Sequence, residues 1–243
     1  KKKIVSKPFL EMTVGMMREC GANVSFEKNA VLVHQGEYKK LYLNIESDWT
    51  SLSYMYEIIA FSKKMTISFS NFSQYSIQGD AKVMYFFNLL GVKTIFKNDK
   101  IILTKQGSFK LPYLIEWDVI STPDISLTYM VACLGLGINL KLTGIDHLIY
   151  KESNRLQVMK TQLEKFNVKI LITDEYFFMD TSNSKLENKM INTCLDHRIA
   201  LAFSPLVLKT KKLLIDESNV VSKSYPNFWN DLKKIGIKVS LEK

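Results

Sequence analysis

Helix-like segments recur along this chain at a nearly constant spacing, in two interleaved series. In the first series the segments end at a glycine or asparagine, at Gly21, Gly91, Asn167 and Gly236, which are 70, 76 and 69 residues apart. In the second series they begin at positions 48, 124 and 197, which are 76 and 73 residues apart. A fixed period indicates one supersecondary unit used several times.

Each period also contains short apolar segments with strand character, at 31–33, 101–103, 176–178 and 237–239. Two helices and several strands per unit predict a mixed α/β or α+β fold. The second-series helices are apolar nearly all round and should be buried, whereas the amphipathic first series should cover them.

Charged residues concentrate at the starts of these helices. If the units pack around an axis, the starts meet in one polar centre, which the positive ends of helix dipoles make favourable for a multiply anionic ligand. The densest stretch begins at Lys151. We expect Lys151 and Arg155 to share one face of the first turn of a helix over 151–166, with Glu152 within reach of Arg155. The alternative is a solvated surface pair of little energetic value.

The net charge of +9 indicates anionic partners, either nucleic acid or small phosphorylated ligands. The chain has no apolar run of membrane-spanning length and no signal-peptide pattern, so we expect a cytoplasmic protein without a membrane partner. Cys20, Cys133 and Cys194 are interpreted as buried free thiols, and no Cys/His spacing predicts a metal site.

Seven motifs then occur in order along nearly the whole chain. They are Ser6-Lys7-Pro8-Phe9, Asp48-Trp49-Thr50-Ser51, Gln78-Gly79-Asp80, Pro123-Asp124, Lys151-Glu152-Ser153-Asn154-Arg155, Asp196-His197-Arg198-Ile199-Ala200 and Lys223-Ser224-Tyr225-Pro226. In this order and spacing they resemble 5-enolpyruvylshikimate-3-phosphate (EPSP) synthase, the 3-phosphoshikimate 1-carboxyvinyltransferase. The resemblance implies βαβαββ units repeated about a pseudo-threefold axis, in an inside-out barrel domain.

The resemblance also implies a reaction of aromatic amino-acid biosynthesis, in the shikimate pathway that leads to chorismate. The 5-hydroxyl of shikimate 3-phosphate attacks C2 of phosphoenolpyruvate, and the tetrahedral intermediate then loses inorganic phosphate. The substrates implied are these two small molecules, and the family needs neither a metal nor an organic cofactor.

Residue roles follow from the matched motifs. Asp124 corresponds to the acceptor of the hydroxyl proton and Glu152 to the acid that protonates the methylene carbon. The shikimate 3-phosphate ligands implied are Ser6, Asp124, His147 and Lys151, and the phosphoenolpyruvate ligands are Arg155, Arg198 and Lys223. A simple helix-capping role is the alternative for Asp124. We interpret His197 as a structural or orienting residue and not as the base.

This sequence departs from the family pattern at three positions. His147 stands where the family usually has Asn, Phe9 replaces Tyr, and Asn154 replaces Asp. Imidazole can still donate or accept a hydrogen bond at position 147, although with different geometry.

The repeat and the resemblance together predict two parts. Residues 1–46 would be the terminal part of a preceding, substrate-binding domain, and residues 47–243 would form a second domain of three repeats. The unit that contains Ser6 lacks its apolar helix, so we expect the chain to be the C-terminal portion of a longer protein. The missing N-terminal portion would then complete the site of a monomeric enzyme. The residues that we expect to line one open face of the present chain are Asp124, His147, Lys151, Glu152, Arg155, Arg198 and Lys223.

Two other functions fit some of these features. A related carboxyvinyltransferase acting on UDP-N-acetylglucosamine shares the fold, but the motifs that begin at Lys151 and Asp196 resemble the shikimate branch. The net charge also fits an inactive homologue that binds anions or nucleic acid, although lysine is dispersed among acidic residues and no basic face is apparent.

Overall fold

The computed structural model describes residues 7–28, 30–42, 44–98 and 100–240, so Ser6 lies outside the described residues. The chain begins with helix α1 (Lys7–Glu19) and the antiparallel hairpin of β1 (Val24–Glu27) and β2 (Ala30–Val33). This helix-and-hairpin pair has the order expected for the end of a repeat.

The most complete repeat lies in the middle of the chain. Its elements are β6 (Leu114–Asp118), a 3-10 helix (Pro123–Ile125), α4 (Ser126–Leu136), β7 (Asn139–Thr143), a 3-10 helix (Asp146–Tyr150), α5 (Arg155–Glu164), β8 (Lys169–Ile172) and β9 (Tyr176–Asp180). The sheet order is β6-β7-β9-β8, with β6 parallel to β7 and the other neighbours antiparallel. This is one βαβαββ unit, as predicted.

The repeat before it has the same order without a described first strand. It consists of α2 (Trp49–Phe61), β3 (Thr66–Ser70), a 3-10 helix (Gly79–Lys82), α3 (Val83–Asn88), β4 (Val92–Lys97) and β5 (Lys100–Lys105). Its sheet order, β3-β5-β4, corresponds to β7-β9-β8 of the complete unit.

The third repeat is shorter. It contains β10 (Met190–Ile191), α6 (His197–Phe203), a 3-10 helix (Ser204–Leu206), α7 (Val207–Thr210), β11 (Leu214–Ile215), a 3-10 helix (Ser218–Lys223) and α8 (Phe228–Lys234). Strand β10 pairs with β11 in parallel. The strand predicted over 237–239 does not form, and no strand follows α8 within the part of the chain that the structure describes.

The core lies where α2, α4 and α6 meet. Nearly every residue of α2 and α4 is buried, which confirms that the second-series helices are central. At the α2–α4 contact, a Cβ on Gly135 would lie 2.4 Å from the Phe61 ring, so only glycine allows this approach. Trp49, Tyr54 and Tyr56 are core residues, as the apolar pattern of α2 predicts.

Two local predictions are wrong. Helix α5 begins at Arg155, because Asn154 caps it by accepting a hydrogen bond from the backbone N–H of Gln157, so Lys151 lies before the helix and not on its first turn. Only Cys133 is buried; Cys20 is half-buried and Cys194 is exposed in a turn with positive φ. All three thiols are free.

Among the described residues, no helix is both long enough and apolar enough to cross a membrane. In the same residues, no three His, Cys, Asp or Glu side chains are grouped so as to hold a metal ion.

Candidate active site

The predicted site residues come from the starts of helices in different repeats. Asp124 lies in the 3-10 turn before α4, and Glu152 lies between the Asp146–Tyr150 turn and α5. Arg198 is the second residue of α6, and Lys223 ends the 3-10 helix before α8. The fold therefore brings residues separated by about a hundred positions into one place, as the repeat spacing predicts.

The centre of the cluster is Arg155, whose side chain is 0% exposed and contacts three carboxylates. Its Nη1 lies 3.0 Å from Asp124 Oδ1 and its Nη2 lies 2.7 Å from Glu152 Oε2. Its Nε donates to Asp196 Oδ2 at 2.9 Å. A buried guanidinium is stable only when its donors are bonded and its charge is balanced, and these three acids do both.

Asp124 contacts three cations of the cluster. Its Oδ1 contacts Lys151 Nζ at 3.2 Å as well as Arg155, and its Oδ2 contacts Arg198 Nη2 at 3.1 Å. Burial opposes ionisation, but Arg198, Lys151 and Arg155 outweigh it and lower the pKa of Asp124 below its ordinary value. The carboxylate does not cap α4, so the capping alternative is not what the structure contains.

Glu152 connects the buried and exposed sides of the cluster. Its Oε2 faces Arg155, whereas its Oε1 accepts from Lys223 Nζ at 2.9 Å. Burial tends to raise the pKa of Glu152, but the Lys223 hydrogen bond, a backbone hydrogen bond and Arg155 lower it to about 2. We therefore expect Glu152 to be ionised at neutral pH in this arrangement.

Arg198 contacts Asp124 and is close enough to the hydroxyl of Tyr54, a residue of α2, for each to shift the pKa of the other. Burial raises the pKa of Tyr54 to about 12, against the opposing effect of the nearby guanidinium. The adjacent His197 is buried, with its Nδ1 unbonded and 3.8 Å from Asp196 Oδ1. Burial and the charge of Arg198 lower the pKa of His197, so it is neutral at pH 7.

The two remaining predicted residues are His147 and Ser6. His147 is buried, its Nε2 has no hydrogen-bond partner, and it is close enough to Lys151 and Asp124 for their charges to shift its pKa. Burial is the largest cause, and the net pKa is lowered, which keeps this imidazole neutral. Ser6 lies outside the described residues.

One central residue, Asp196, has no role in the sequence prediction. It is fully buried, accepts from Arg155 and from the Ser153 hydroxyl at 3.0 Å, and caps α6 by accepting from the Arg198 backbone N–H. The signal was an acid directly before an apolar helix, which is an N-cap pattern. Sequence alone could not show that Asp196 also faces Arg155.

Arg155 also differs from the expectation that it lines an open face. Its guanidinium faces inward, whereas Lys223, whose side chain is 57% exposed, forms the open end of the cluster. Four cations surround three carboxylates here, so the cluster retains net positive charge. It can take up an anionic ligand whose oxygens replace or join the carboxylates around Arg198, Lys151 and Lys223.

Comparisons with known proteins identify the family of this chain. A family model described as EPSP synthase (3-phosphoshikimate 1-carboxyvinyltransferase) matches residues 1–232. A protein of Bacteroides fragilis (strain YCH46) named 3-phosphoshikimate 1-carboxyvinyltransferase is 35% identical over 98% of this chain and 59% of its own length. A protein of the same name from Blochmanniella pennsylvanica is 30% identical over 96% of this chain and 54% of its own length.

Solved structures show the same fold. EPSP synthase from Acinetobacter baumannii superposes with a TM-score of 0.72 at 20% identity, covering 95% of this chain and 55% of that one. The enolpyruvyl transferase NikO from Streptomyces tendae gives a TM-score of 0.68 at 14% identity, covering 95% of this chain and 54% of that one. The chain thus spans less than two thirds of the relatives it matches. Because the family model covers almost all of its residues, the chain belongs to the EPSP synthase family.

Proposed function

We propose that the complete protein transfers the enolpyruvyl group of phosphoenolpyruvate to the 5-hydroxyl of shikimate 3-phosphate and releases phosphate. The observation that carries the proposal is the ion-pair cluster in which cations from separate repeats surround Asp124 and Glu152. Membership of the EPSP synthase family supports the choice of substrates.

In this proposal Asp124 accepts the proton of the 5-hydroxyl while the oxygen bonds to C2 of phosphoenolpyruvate. A base must be unprotonated before it acts, and three cations keep the pKa of Asp124 low. The same cations make it a weaker base, so a bound substrate anion that shares Lys151 and Arg198 would strengthen it.

Glu152 supplies a proton to the methylene carbon in the first step. The phosphate then leaves from C2, and a proton is removed from the new methyl group to restore the double bond. With a pKa of about 2, Glu152 holds no proton at pH 7 in the present arrangement. It becomes an acid when water is excluded and when an anionic ligand draws Lys223 away.

The four cations bind and neutralise the substrates. We assign Arg198 and Lys223 to phosphoenolpyruvate, and Lys151 together with His147 and Ser6 to shikimate 3-phosphate. Arg155 is assigned to phosphoenolpyruvate on the basis of its motif. In the present arrangement it holds Glu152 and Asp124 in place, so direct contact requires one of those carboxylates to move aside.

The proposal includes the division into residues 1–46 and 47–243. At the boundary, Glu46 Oε1 accepts from Trp49 Nε1 and from the backbone N–H of Ser73, both at 2.8 Å. Glu46 Oε2 accepts from the Ser76 hydroxyl at 2.6 Å. These hydrogen bonds attach the segment at Glu46 to residues 47–243. An N-terminal portion of the same protein would supply the other half of the cleft, in a monomeric cytoplasmic enzyme.

The test is phosphate release by the protein expressed from its complete reading frame. We expect release to require both shikimate 3-phosphate and phosphoenolpyruvate, with UDP-N-acetylglucosamine as the control acceptor. If phosphate is released with UDP-N-acetylglucosamine and phosphoenolpyruvate but not with shikimate 3-phosphate and phosphoenolpyruvate, the protein is instead the related carboxyvinyltransferase. Absence of turnover with either acceptor would refute the proposal, and oligonucleotide binding that weakens steeply with salt would then favour the nucleic-acid alternative.

A further inference from the structure

The 3-10 helix Gly79–Lys82 begins at a glycine that has no space for a side chain. A Cβ on Gly79 would lie 2.6 Å from Pro8 Cβ and 3.0 Å from Pro8 Cγ, in the first turn of α1. Non-bonded carbon atoms pack best at about 3.5–4.0 Å, so a side chain here would displace a neighbour. Gly79 does not have a positive φ, so the restriction is one of space and not of backbone conformation.

Gly79 also contacts the turn that leads to the site. The missing Cβ would lie 3.0 Å from the backbone oxygen of Ser121, in the turn 119–122 between β6 and the 3-10 helix that contains Asp124. Lys82 Nζ, at the other end of the Gly79–Lys82 helix, donates to the Ser121 hydroxyl oxygen at 2.9 Å. The absence of a side chain at Gly79 therefore lets the start of α1 lie beside the turn before Asp124.

The backbone at Gly79 is held in place by the side chain of the preceding residue, Gln78. Its Oε1 accepts from the backbone N–H of Trp49 at 3.0 Å, at the start of α2. Its Nε2 donates to the backbone oxygen of Ser47 at 2.8 Å and to Glu46 Oε2 at 3.2 Å. Gly79 therefore cannot move away from Pro8 without breaking these hydrogen bonds.

The turn 119–122 is held as well, whereas α1 is not. The backbone N–H of Ile120 donates to Asp118 Oδ1 at 2.9 Å, and that of Val119 donates to the backbone oxygen of Thr143 at 2.9 Å. In α1, by contrast, Val14 is the one buried residue among the 13 of the helix. A side chain at position 79 would therefore displace the start of α1, the least firmly packed of the three segments.

We propose that Gly79 is a positioning residue for the binding of shikimate 3-phosphate, because it lets the start of α1 lie beside the turn before Asp124. The inference rests on the proposed function, in which Ser6, the residue directly before α1 in the sequence, binds this substrate. Gly79 does not touch the substrate and acts only through Pro8. Any side chain at position 79 would displace Pro8 and with it the residue that precedes the helix.

The test compares affinity with turnover in the protein from the complete reading frame. Calorimetry gives the Kd of shikimate 3-phosphate, and steady-state phosphate release gives kcat. We expect Gly79→Ala to weaken shikimate 3-phosphate binding by about tenfold, the value of one lost hydrogen bond. With both substrates saturating, kcat should stay within about threefold of the wild type, because the turn before Asp124 keeps its place. A large loss of kcat with unchanged affinity would show that the turn moves instead, and it would overturn the inference.

Pro8→Gly tests whether the effect passes through Pro8, since it removes both carbon atoms that the new methyl group would strike. The effect of Gly79→Ala on Kd is measured in the wild-type and in the Pro8→Gly background, so that the effect of Pro8→Gly alone cancels. We expect the tenfold loss to fall to about twofold or less in the second background. An equal loss in both backgrounds would overturn the inference, because α1 would then not be the displaced element.

Gly15→Ala is the matched control, since it is the same substitution within α1 at a position where nothing lies within 4 Å of the new Cβ. It should leave Kd and kcat at their wild-type values. Hydrogen exchange gives a readout that needs no substrate. Gly79→Ala should speed the exchange of the α1 amides, whereas Gly15→Ala should not, because alanine favours a helix more than glycine does. Unchanged exchange in α1 of Gly79→Ala would also overturn the inference.

Turnover by the wild type separates this inference from the proposed function. If the wild type releases no phosphate from its substrates, the proposed function fails, and the role of Gly79 in substrate binding fails with it. The exchange of the α1 amides then still decides whether Gly79 positions that helix. If the wild type turns over normally and Gly79→Ala binds shikimate 3-phosphate as tightly as the wild type does, only this inference fails.

Discussion

Replacing Arg155 by Gln should destabilise the fold as well as the site, and the structure indicates by how much. Removing one partner of a buried ion pair costs about 3–5 kcal/mol, because the other charge stays buried without compensation. Asp124 and Glu152 keep other cations, but Asp196 is fully buried and loses the guanidinium that pairs with it. It retains the Ser153 hydroxyl and the Arg198 backbone N–H, so we expect about 3 kcal/mol.

Urea unfolding of the purified chain, followed by circular dichroism, measures this cost as a free energy of unfolding, and thermal unfolding measures it as a change in Tm. A loss of 3 kcal/mol should lower Tm by about 6–12 °C in a chain of this size. The control is Asp196→Asn, which keeps an acceptor for Ser153 but removes the charge. In that background Arg155→Gln should cost about 1 kcal/mol, since no buried anion remains at position 196. An equal cost in both backgrounds would refute the pairing argument.

Three further predictions concern carboxylates. In the complete protein, Glu152→Gln and Asp124→Asn should each lower kcat by at least about 100-fold with a smaller effect on KM, in steady-state assays of phosphate release; near-normal kcat would remove the assigned proton roles. Lys223→Met should raise the pKa of Glu152 above about 2, measured by NMR titration, because the hydrogen bond that lowers it is lost; an unchanged pKa would contradict this. Burial raises the pKa of Glu57 in the fold well above its value in the unfolded chain, so the contribution of Glu57 to stability falls as pH rises above 4.5. Glu57→Gln should be about 1 kcal/mol or more stable than the wild type at pH ~8 but not at pH ~4, and the same difference at both pH values would refute the reasoning.

Repetition made much of the fold predictable from sequence. The apolar helices around Tyr54, Met130 and Leu201 are central because they have no polar face to expose, and a helix of that kind is stable only when buried. The strand prediction that is wrong lies at the edge of a repeat. The segment 237–239 has strand-like residues, but a strand needs a neighbour to accept its hydrogen bonds, and sequence does not show which neighbours are present.

The site was predicted as a set of residues but not as an arrangement. The charged residues at helix starts predicted a shared polar centre, and the resemblance to EPSP synthase implied Asp124, Glu152 and Arg198 as members of it. Spacing alone suggested a helical face for Lys151, whereas Asn154 starts the helix later by capping it. The pairing of Asp196 with Arg155 depends on a contact across 41 residues, which no local pattern encodes.

The charge arrangement has a consequence for how the proposed reaction would begin. Two cations keep Glu152 ionised, and they are Lys223, the most exposed cation of the cluster, and the buried Arg155. Arg155 cannot move away without leaving the buried Asp196 carboxylate unpaired. An anionic substrate therefore competes most easily for Lys223. When it takes that cation, it also brings negative charge beside Glu152, and both changes raise the carboxyl pKa. Arg155 still lowers the pKa, so full conversion to an acid also requires the exclusion of water. Under the proposed function, the substrate itself thus prepares the acid, and Glu152 stays ionised until phosphoenolpyruvate is bound.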